Sequence, residues 1–189
     1  MPEECNIAYK MSKIIFRYGA MGSSKSAHLL MTGYNLKERG KTVIYTKSSI
    51  DTRDGEYITT RAGIPPKKCV IIPENADMFD LFGDMPRQSI IMIDECQFLS
   101  EEDINHLNQL SMQKDLVVIC YGLRTDSNGN LFAGSKRLFE IADVIEEIKS
   151  CCSRCARKAT MNLYLGEKND VVLIGDSGYL PVCRECYFK

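Results

Sequence analysis

Lysine and serine closing a glycine-bearing loop form a phosphate-binding pair, and this chain carries them in Tyr18-Gly19-Ala20-Met21-Gly22-Ser23-Ser24-Lys25-Ser26. In the pattern G-x-x-x-x-G-K-[ST], backbone N–H groups wrap phosphates at a helix N-terminus, the lysine meets them as a point charge, and the hydroxyl faces the accompanying ion. Gly19, Lys25 and Ser26 fit, but Ser24 stands where the second glycine is expected. Glycine serves where the backbone takes positive φ, so a serine here predicts a conformation that a Cβ tolerates. The stretch Gly19, Ala20, Met21, Gly22, Ser23, Ser24, Lys25, Ser26 is therefore the predicted site for a ligand's phosphates. The bland alternative is a strand-to-helix turn with a chance lysine. It is weakened by the setting: the apolar run Ile14-Ile15-Phe16 precedes the loop, and good helix formers follow from Ala27 to Arg39.

Asp94-Glu95 closes a second apolar run, Ile90-Ile91-Met92-Ile93. Carboxylates at the C-terminal end of a parallel strand lie where open α/β sheets bind ligands. Asp94 is thus predicted to hold Mg²⁺, directly or through water, with the Ser26 hydroxyl on the same ion. Glu95 would face whatever receives or loses the γ-phosphate; its alternative reading is a solvated strand-end acid. Loop and strand acid in this order predict nucleotide hydrolysis or transfer.

A third constellation is made of thiols. Cys152-Ser153-Arg154-Cys155 and Cys183-Arg184-Glu185-Cys186 are two C-x-x-C pairs. Four thiolates at such spacing hold zinc in a closed tetrahedral site, which is structural because no position is open for catalysis. Cys151 could replace Cys152, at a less usual spacing to Cys155. The other cysteines, Cys5, Cys69, Cys96, Cys120 and Cys151, read as small buried hydrophobes or inert thiols.

The elements that must position these residues follow from pattern. Lys13–Tyr18 reads as a first strand, and the helix after Lys25 carries Leu29, Leu30 and Leu36 inward and ends near Gly40. Thr42–Thr46 reads as a second strand, and this β-α-β start argues for a parallel sheet. Residues 48–68 show no apolar periodicity and read as a long loop, the kind that is usually functional or disordered. Cys69–Ile72, Ser89–Ile93 and Leu116–Cys120 are further strands. Asn75–Phe82 is a short helix, and another runs from Ser100, its cap, to about Gln113. Ser135–Ala142 is a helix, Val144–Ile148 a strand, and Met161–Leu165 pairs with Val171–Ile174 as a ribbon. The expected fold is α/β: a P-loop, RecA-like core with a mostly parallel sheet flanked by helices, spanning 1–149, and a small zinc-binding β subdomain, spanning 150–189.

Composition narrows the function. The chain has 189 residues, 44% hydrophobic, enough for one cored domain with a small appendage. Lysines and arginines number 24 against 25 acids, so no basic face for duplex nucleic acid is expected. No apolar run approaches the ~20 residues of a membrane span, and the acidic start Met1-Pro2-Glu3-Glu4 is unlike a secretory signal, so a cytoplasmic protein is expected. A RecA-like motor fragment would share the loop and the strand acids, but not this size or charge. A zinc-ribbon nucleic-acid module would need a basic surface, and Arg154, Arg157, Lys158 and Arg184 are balanced by Glu167, Asp170, Asp176 and Glu185.

The chain resembles the type II thymidine kinases, which combine a P-loop core with a zinc-pinned lasso. The resemblance is carried by Gly19-Ala20-Met21 with Lys25-Ser26, by Asp51-Thr52-Arg53, by Asp94-Glu95-Cys96-Gln97-Phe98, by Tyr121-Gly122-Leu123-Arg124-Thr125-Asp126, by the cysteine pairs, and by Tyr179, Val182 and Tyr187. It implies ATP:thymidine 5′-phosphotransfer, with deoxyuridine a poorer substrate and Glu95 the general base. It further implies that Met21, Phe98, Leu123 and Tyr179 line the thymine pocket and that Asp51 and Arg53 lie near ribose and phosphates. The stretch Val171–Tyr179, including Val171 and Leu173, would fold over the base and read it through backbone groups. A homotetramer inhibited by dTTP is implied as well. Three positions depart from the family pattern. Ser24 replaces glycine. Ser127 stands where relatives often carry phenylalanine, which gives Phe132 more of the pocket wall. The lasso, Ile174 to Tyr179, is one residue short.

Overall fold

In the computed structural model, residues 12–166 and 178–189 are described. Val171 and Leu173 of the lasso, and the expected strand Val171–Ile174, lie outside the described residues.

The apolar runs form one six-stranded sheet. Its strands are β1 (Lys13–Tyr18), β2 (Val43–Ser48), β5 (Val70–Ile72), β6 (Ile90–Asp94), β7 (Val117–Gly122) and β8 (Val144–Glu147), in spatial order β5-β2-β6-β7-β1-β8. Every pairing in it is parallel. The helices α1 (Lys25–Glu38), α2 (Met78–Phe82), α3 (Glu101–Lys114) and α4 (Ala133–Ile141) are the crossovers and the covering layers. Between β2 and β5 the expected loop holds a small antiparallel ribbon, β3 (Tyr57–Ile58) with β4 (Lys67–Lys68).

Side chains alternate across a strand, so a sheet covered on both faces feeds two cores. In β6, Ile91 and Ile93 join one cluster with Phe16, Val118, Met78, Leu107 and Leu138. Its alternate residues Ile90 and Met92 join the other, with Leu29, Leu30, Tyr45 and Ile119. The second cluster lies under α1. Parity therefore sends Asp94, two residues past Met92, toward the same side as α1. The cap of α3 is as expected: the Ser100 hydroxyl accepts from the Asp103 N–H at 3.0 Å, and the Asp103 carboxylate accepts from the Ser100 N–H at 2.8 Å.

Beyond β8 the chain builds β9 (Met161–Tyr164), β10 (Tyr179–Val182) and the short helix α5 (Arg184–Phe188). β9 and β10 are antiparallel, Tyr164 opposite Tyr179 and Asn162 opposite Pro181. The ribbon partner among the described residues is thus Tyr179–Val182, a stretch that sequence pattern passes over because Pro181 cannot donate to a ladder. Here that matters little: Pro181 still accepts through its carbonyl, from the Ser153 N–H at 2.9 Å. A small cluster of Cys152, Cys183 and Val182 with Met161, Leu163, Leu180 and Tyr187 cores this subdomain.

Candidate active site

A cavity of about 570 Å³ opens at the C-terminal edge of the sheet, where β1, β2, β6 and β7 hand over to their loops. It is lined by Gly22, Ser24, Lys25 and Ser26 from the first loop, by Asp51 and Arg53 after β2, by Asp94, Glu95 and Phe98 after β6, and by Leu123 and Phe132 after β7. Met21 and Tyr179 line it as well. Gly19, Ala20 and Ser23 do not face it. Gly19 is buried under the loop, where a Cβ would stand 2.6 Å from the Ile148 carbonyl. Ala20 turns its carbonyl to the Lys25 ammonium at 3.0 Å.

The loop overturns one expectation. Ser24 has φ 62° and ψ 30°, in the left-handed region, and its side chain makes no capping hydrogen bond. The position therefore keeps the backbone that glycine would relax into, and the serine bears the strain of a Cβ there. Sequence alone misjudged it because the demand comes from the turn joining β1 to α1, not from the residue.

Glu95 is strained in the same sense, with φ 51°. Its carboxylate is held from both sides: Arg53 Nη2 donates to Oε1 at 2.7 Å and Gln97 Nε2 to Oε2 at 2.5 Å. Gln97 is itself fixed, its Oε1 accepting from the Leu123 N–H at 3.0 Å. Gly122 allows this approach, because a Cβ there would lie 2.7 Å from both Gln97 Oε1 and Cys96 Sγ. Arg53 in turn donates from Nε to Asp51 Oδ1 at 2.7 Å. Burial would raise the Asp51 carboxyl, but the Arg53 hydrogen bond and the charges of Arg53 and Lys47 hold it below the usual carboxylate range. Burial works against the Arg53 guanidinium too, and the carboxylates of Asp51 and Glu95 outweigh it.

Asp94 is buried beside them, hydrogen-bonded by the Ser26 hydroxyl and near Lys25. Burial, and then the Glu95 carboxylate, push its carboxyl up to about 7 despite those two groups. A carboxylate and a hydroxyl so placed, with the charged form disfavoured, suit a hard cation with oxygen ligands.

Lys47 and Asn162 are among the cavity-lining residues that escaped the sequence reading. Lys47 is 1% exposed, near the end of β2 in register with Asp94. Its signal was a lysine at the close of an otherwise apolar alternation. Asn162, 4% exposed, comes from β9 of the C-terminal subdomain. It accepts from the Met21 N–H at 2.8 Å and donates to the Thr125 carbonyl at 3.3 Å, joining subdomain and loop. No sequence signal marked it.

The four predicted metal ligands converge. The sulfur atoms of Cys152, Cys155, Cys183 and Cys186 all lie within 4.8 Å of one another. Cys155 Sγ is 3.6 Å from Cys183 Sγ and 3.8 Å from Cys186 Sγ, against the ~3.8 Å edge of a tetrahedron with ~2.3 Å zinc–sulfur bonds. Burial opposes ionisation of Cys152, yet the backbone N–H groups of Cys183 and Arg154 bring it down to about 6. Cys186, facing the Cys183 sulfur, is pushed up to about 12. The donor set and spacing fit zinc. Of the remaining thiols, Cys69, Cys96 and Cys120 are buried, Cys151 is exposed, and Cys5 lies outside the described residues.

The thymidine kinase family model matches residues 12–187. The chain is 36% identical over 188 residues to a thymidine kinase of Streptococcus agalactiae, an alignment covering 95% of this chain and 98% of the relative. It is 39% identical over 187 residues to a thymidine kinase of Streptococcus thermophilus, covering 95% of each. A thymidine kinase of Enterococcus faecalis is 36% identical over 186 residues, covering 94% of this chain and 95% of the relative.

Proposed function

The chain belongs to the thymidine kinase family, and on that premise we propose how its residues phosphorylate thymidine. The observation that carries the reading is the Glu95 carboxylate, clamped by Arg53 and Gln97 in the same cavity as Lys25, Ser26 and Asp94.

ATP lies with its phosphates on the loop Gly19–Ser26, whose N–H groups and Lys25 meet the negative charge. On binding, Lys25 exchanges the Ala20 carbonyl for phosphate oxygens. Ser26 and Asp94 would hold Mg²⁺, which when bound neutralises charge on the β- and γ-phosphates. Thymidine enters from the other side, its base against Met21, Phe98, Leu123, Phe132 and Tyr179. Phe98 and Phe132 meet edge to face, 6.0 Å between centroids, a wall suited to a 5-methyl group. The lasso residues Val171 and Leu173 would complete this pocket.

Glu95 takes the proton of the 5′-hydroxyl. The 5′-oxygen bonds to the γ-phosphorus as the bond from that phosphorus to the bridging oxygen of ADP breaks, and ADP leaves. Arg53 and Gln97 fix both carboxylate oxygens, so the base meets the hydroxyl without reorganising. Such an apolar wall separates methyl-sized groups by only ~1–3 kcal/mol, so deoxyuridine is phosphorylated too, less efficiently. Cys152, Cys155, Cys183 and Cys186 would hold zinc, which would pin the ribbon that carries Asn162 and Tyr179. Inhibition by dTTP, a homotetramer and a cytoplasmic setting rest on the family resemblance and on the chain's composition.

Glu95→Gln keeps the shape and, through its one amide oxygen, the Arg53 hydrogen bond, but it loses the bond from Gln97 and takes no proton. Its kcat should fall ~10²–10⁴-fold with thymidine affinity retained in a direct binding titration. A variant turning over at near wild-type rate would remove Glu95 as the base.

A further inference from the structure

Lys47 is a cation buried in the active cavity, its hydrogen-bonding capacity unspent among the described residues. The residue is 1% exposed and lines the same cavity as Lys25 and Glu95. Its Nζ has no hydrogen-bond partner among the described residues. The nearby charge is Asp51 Oδ2 at 3.6 Å, an ionic contact longer than a hydrogen bond. Burying an ammonium is costly unless its charge is paired and its N–H groups are satisfied. Asp51 meets the first need loosely and the second not at all, since its other oxygen is taken by Arg53.

The strand pattern says where this ammonium points. Lys47 shares the parity of Val43 and Tyr45, which pack under α1. It is in direct register with Asp94, which is hydrogen-bonded to Ser26 of α1. Register partners on neighbouring strands share a face, so Lys47 and Asp94 stand together on the side of the phosphate loop. From there Lys47 leads through Asp51 and Arg53 to Glu95. It thus lies between the residues that would meet ATP and the base that meets the 5′-hydroxyl.

We propose that Lys47 is a further catalytic residue, whose ammonium donates to the phosphoryl group in transit and, after transfer, to the 5′-phosphate of the product. This rests on the phosphotransfer reading above. The group carries charge on oxygens that need donors in the transition state. An interaction absent from thymidine itself and made only once the phosphoryl arrives serves kcat rather than substrate binding.

The test compares thymidine, thymidine 5′-monophosphate and ADP binding to wild-type protein, Lys47→Met and Lys47→Arg by calorimetry, with kcat and KM measured on the same preparations. Lys47→Met should bind the monophosphate about 10- to 100-fold more weakly, the worth of a charge-assisted hydrogen bond. Thymidine and ADP should keep affinities within about threefold, and kcat should fall by a similar factor with thymidine KM little moved. Lys47→Arg should recover part of the monophosphate affinity. An unchanged ratio of monophosphate to thymidine affinity overturns the proposal. So does a loss confined to ADP, which would make Lys47 a donor-side contact. So, too, does a variant that fails to fold or loses thymidine equally, since Lys47 would then be a structural partner of Asp51. Wild-type protein that binds no thymidine would instead overturn the functional reading on which the proposal stands.

Discussion

Two non-glycine residues at the cavity, Ser24 and Glu95, occupy the left-handed region at φ 62° and φ 51°. Such backbone persists only where its surroundings over-determine it. For Glu95 the surroundings are visible: Arg53 and Gln97 grip its carboxylate, and the 3-10 turn Cys96–Phe98 begins at its C-terminal side. For Ser24 the strain has no such compensation, since its side chain makes no capping bond. Ser24→Gly should therefore stabilise the protein by about 0.5–1 kcal/mol, the relief of the Cβ set against glycine's greater unfolded freedom. Thermal unfolding would show it as a raised midpoint, with KM for ATP little changed. A lowered midpoint would mean that Ser24 holds the loop through contacts a glycine cannot make.

At the scale of elements, the ribbon of β9 and β10 is part of the active cavity rather than an appendage beside it. Asn162 ties β9 to the loop after β1 through Met21 and to the loop after β7 through Thr125. Arg124 Nη2 adds a bond to the Thr160 carbonyl at 2.8 Å. Asn162→Ala would leave the partly buried Met21 N–H and the buried Thr125 carbonyl without this partner. Stability should fall by roughly 2 kcal/mol, and the Met21 amide should exchange with solvent faster while amides in β6 and β7 do not. Unaltered exchange at Met21 would show that the clamp is incidental.

For the whole molecule, we propose that a metal held by the four cysteines keeps the ribbon of β9 and β10 in its working shape. Metal binding by such cages is coupled to folding. The parallel sheet is different: its two cores are filled from both faces and do not depend on the cluster. Cys183→Ser should lower bound zinc from one per chain and loosen β9, β10 and α5, while the sheet and α1 to α4 stay protected in hydrogen exchange. Thymidine phosphorylation should fall with it, because Asn162 and Tyr179 are carried by the loosened ribbon. Full activity at zero metal content would show that the thiols hold no structural ion.

Much of this was legible in local sequence. The apolar runs of β1, β6 and β7 announce strands, the Ser100 cap and the acids after it announce α3, and two C-x-x-C pairs announce the four-cysteine cluster, because each signal is written within a few residues. Motif order alone also places Lys25, Ser26, Asp94 and Glu95 at one sheet edge, since parallel strands end together. Contacts between distant segments were not legible. Pairing β9 with a strand that contains Pro181, tying Met21 to Asn162, and burying the Lys47 ammonium beside Asp94 all depend on which segments meet in space. Ser24 makes the same point at one residue: its left-handed backbone is imposed by the path from β1 into α1, and no property of serine foretells it.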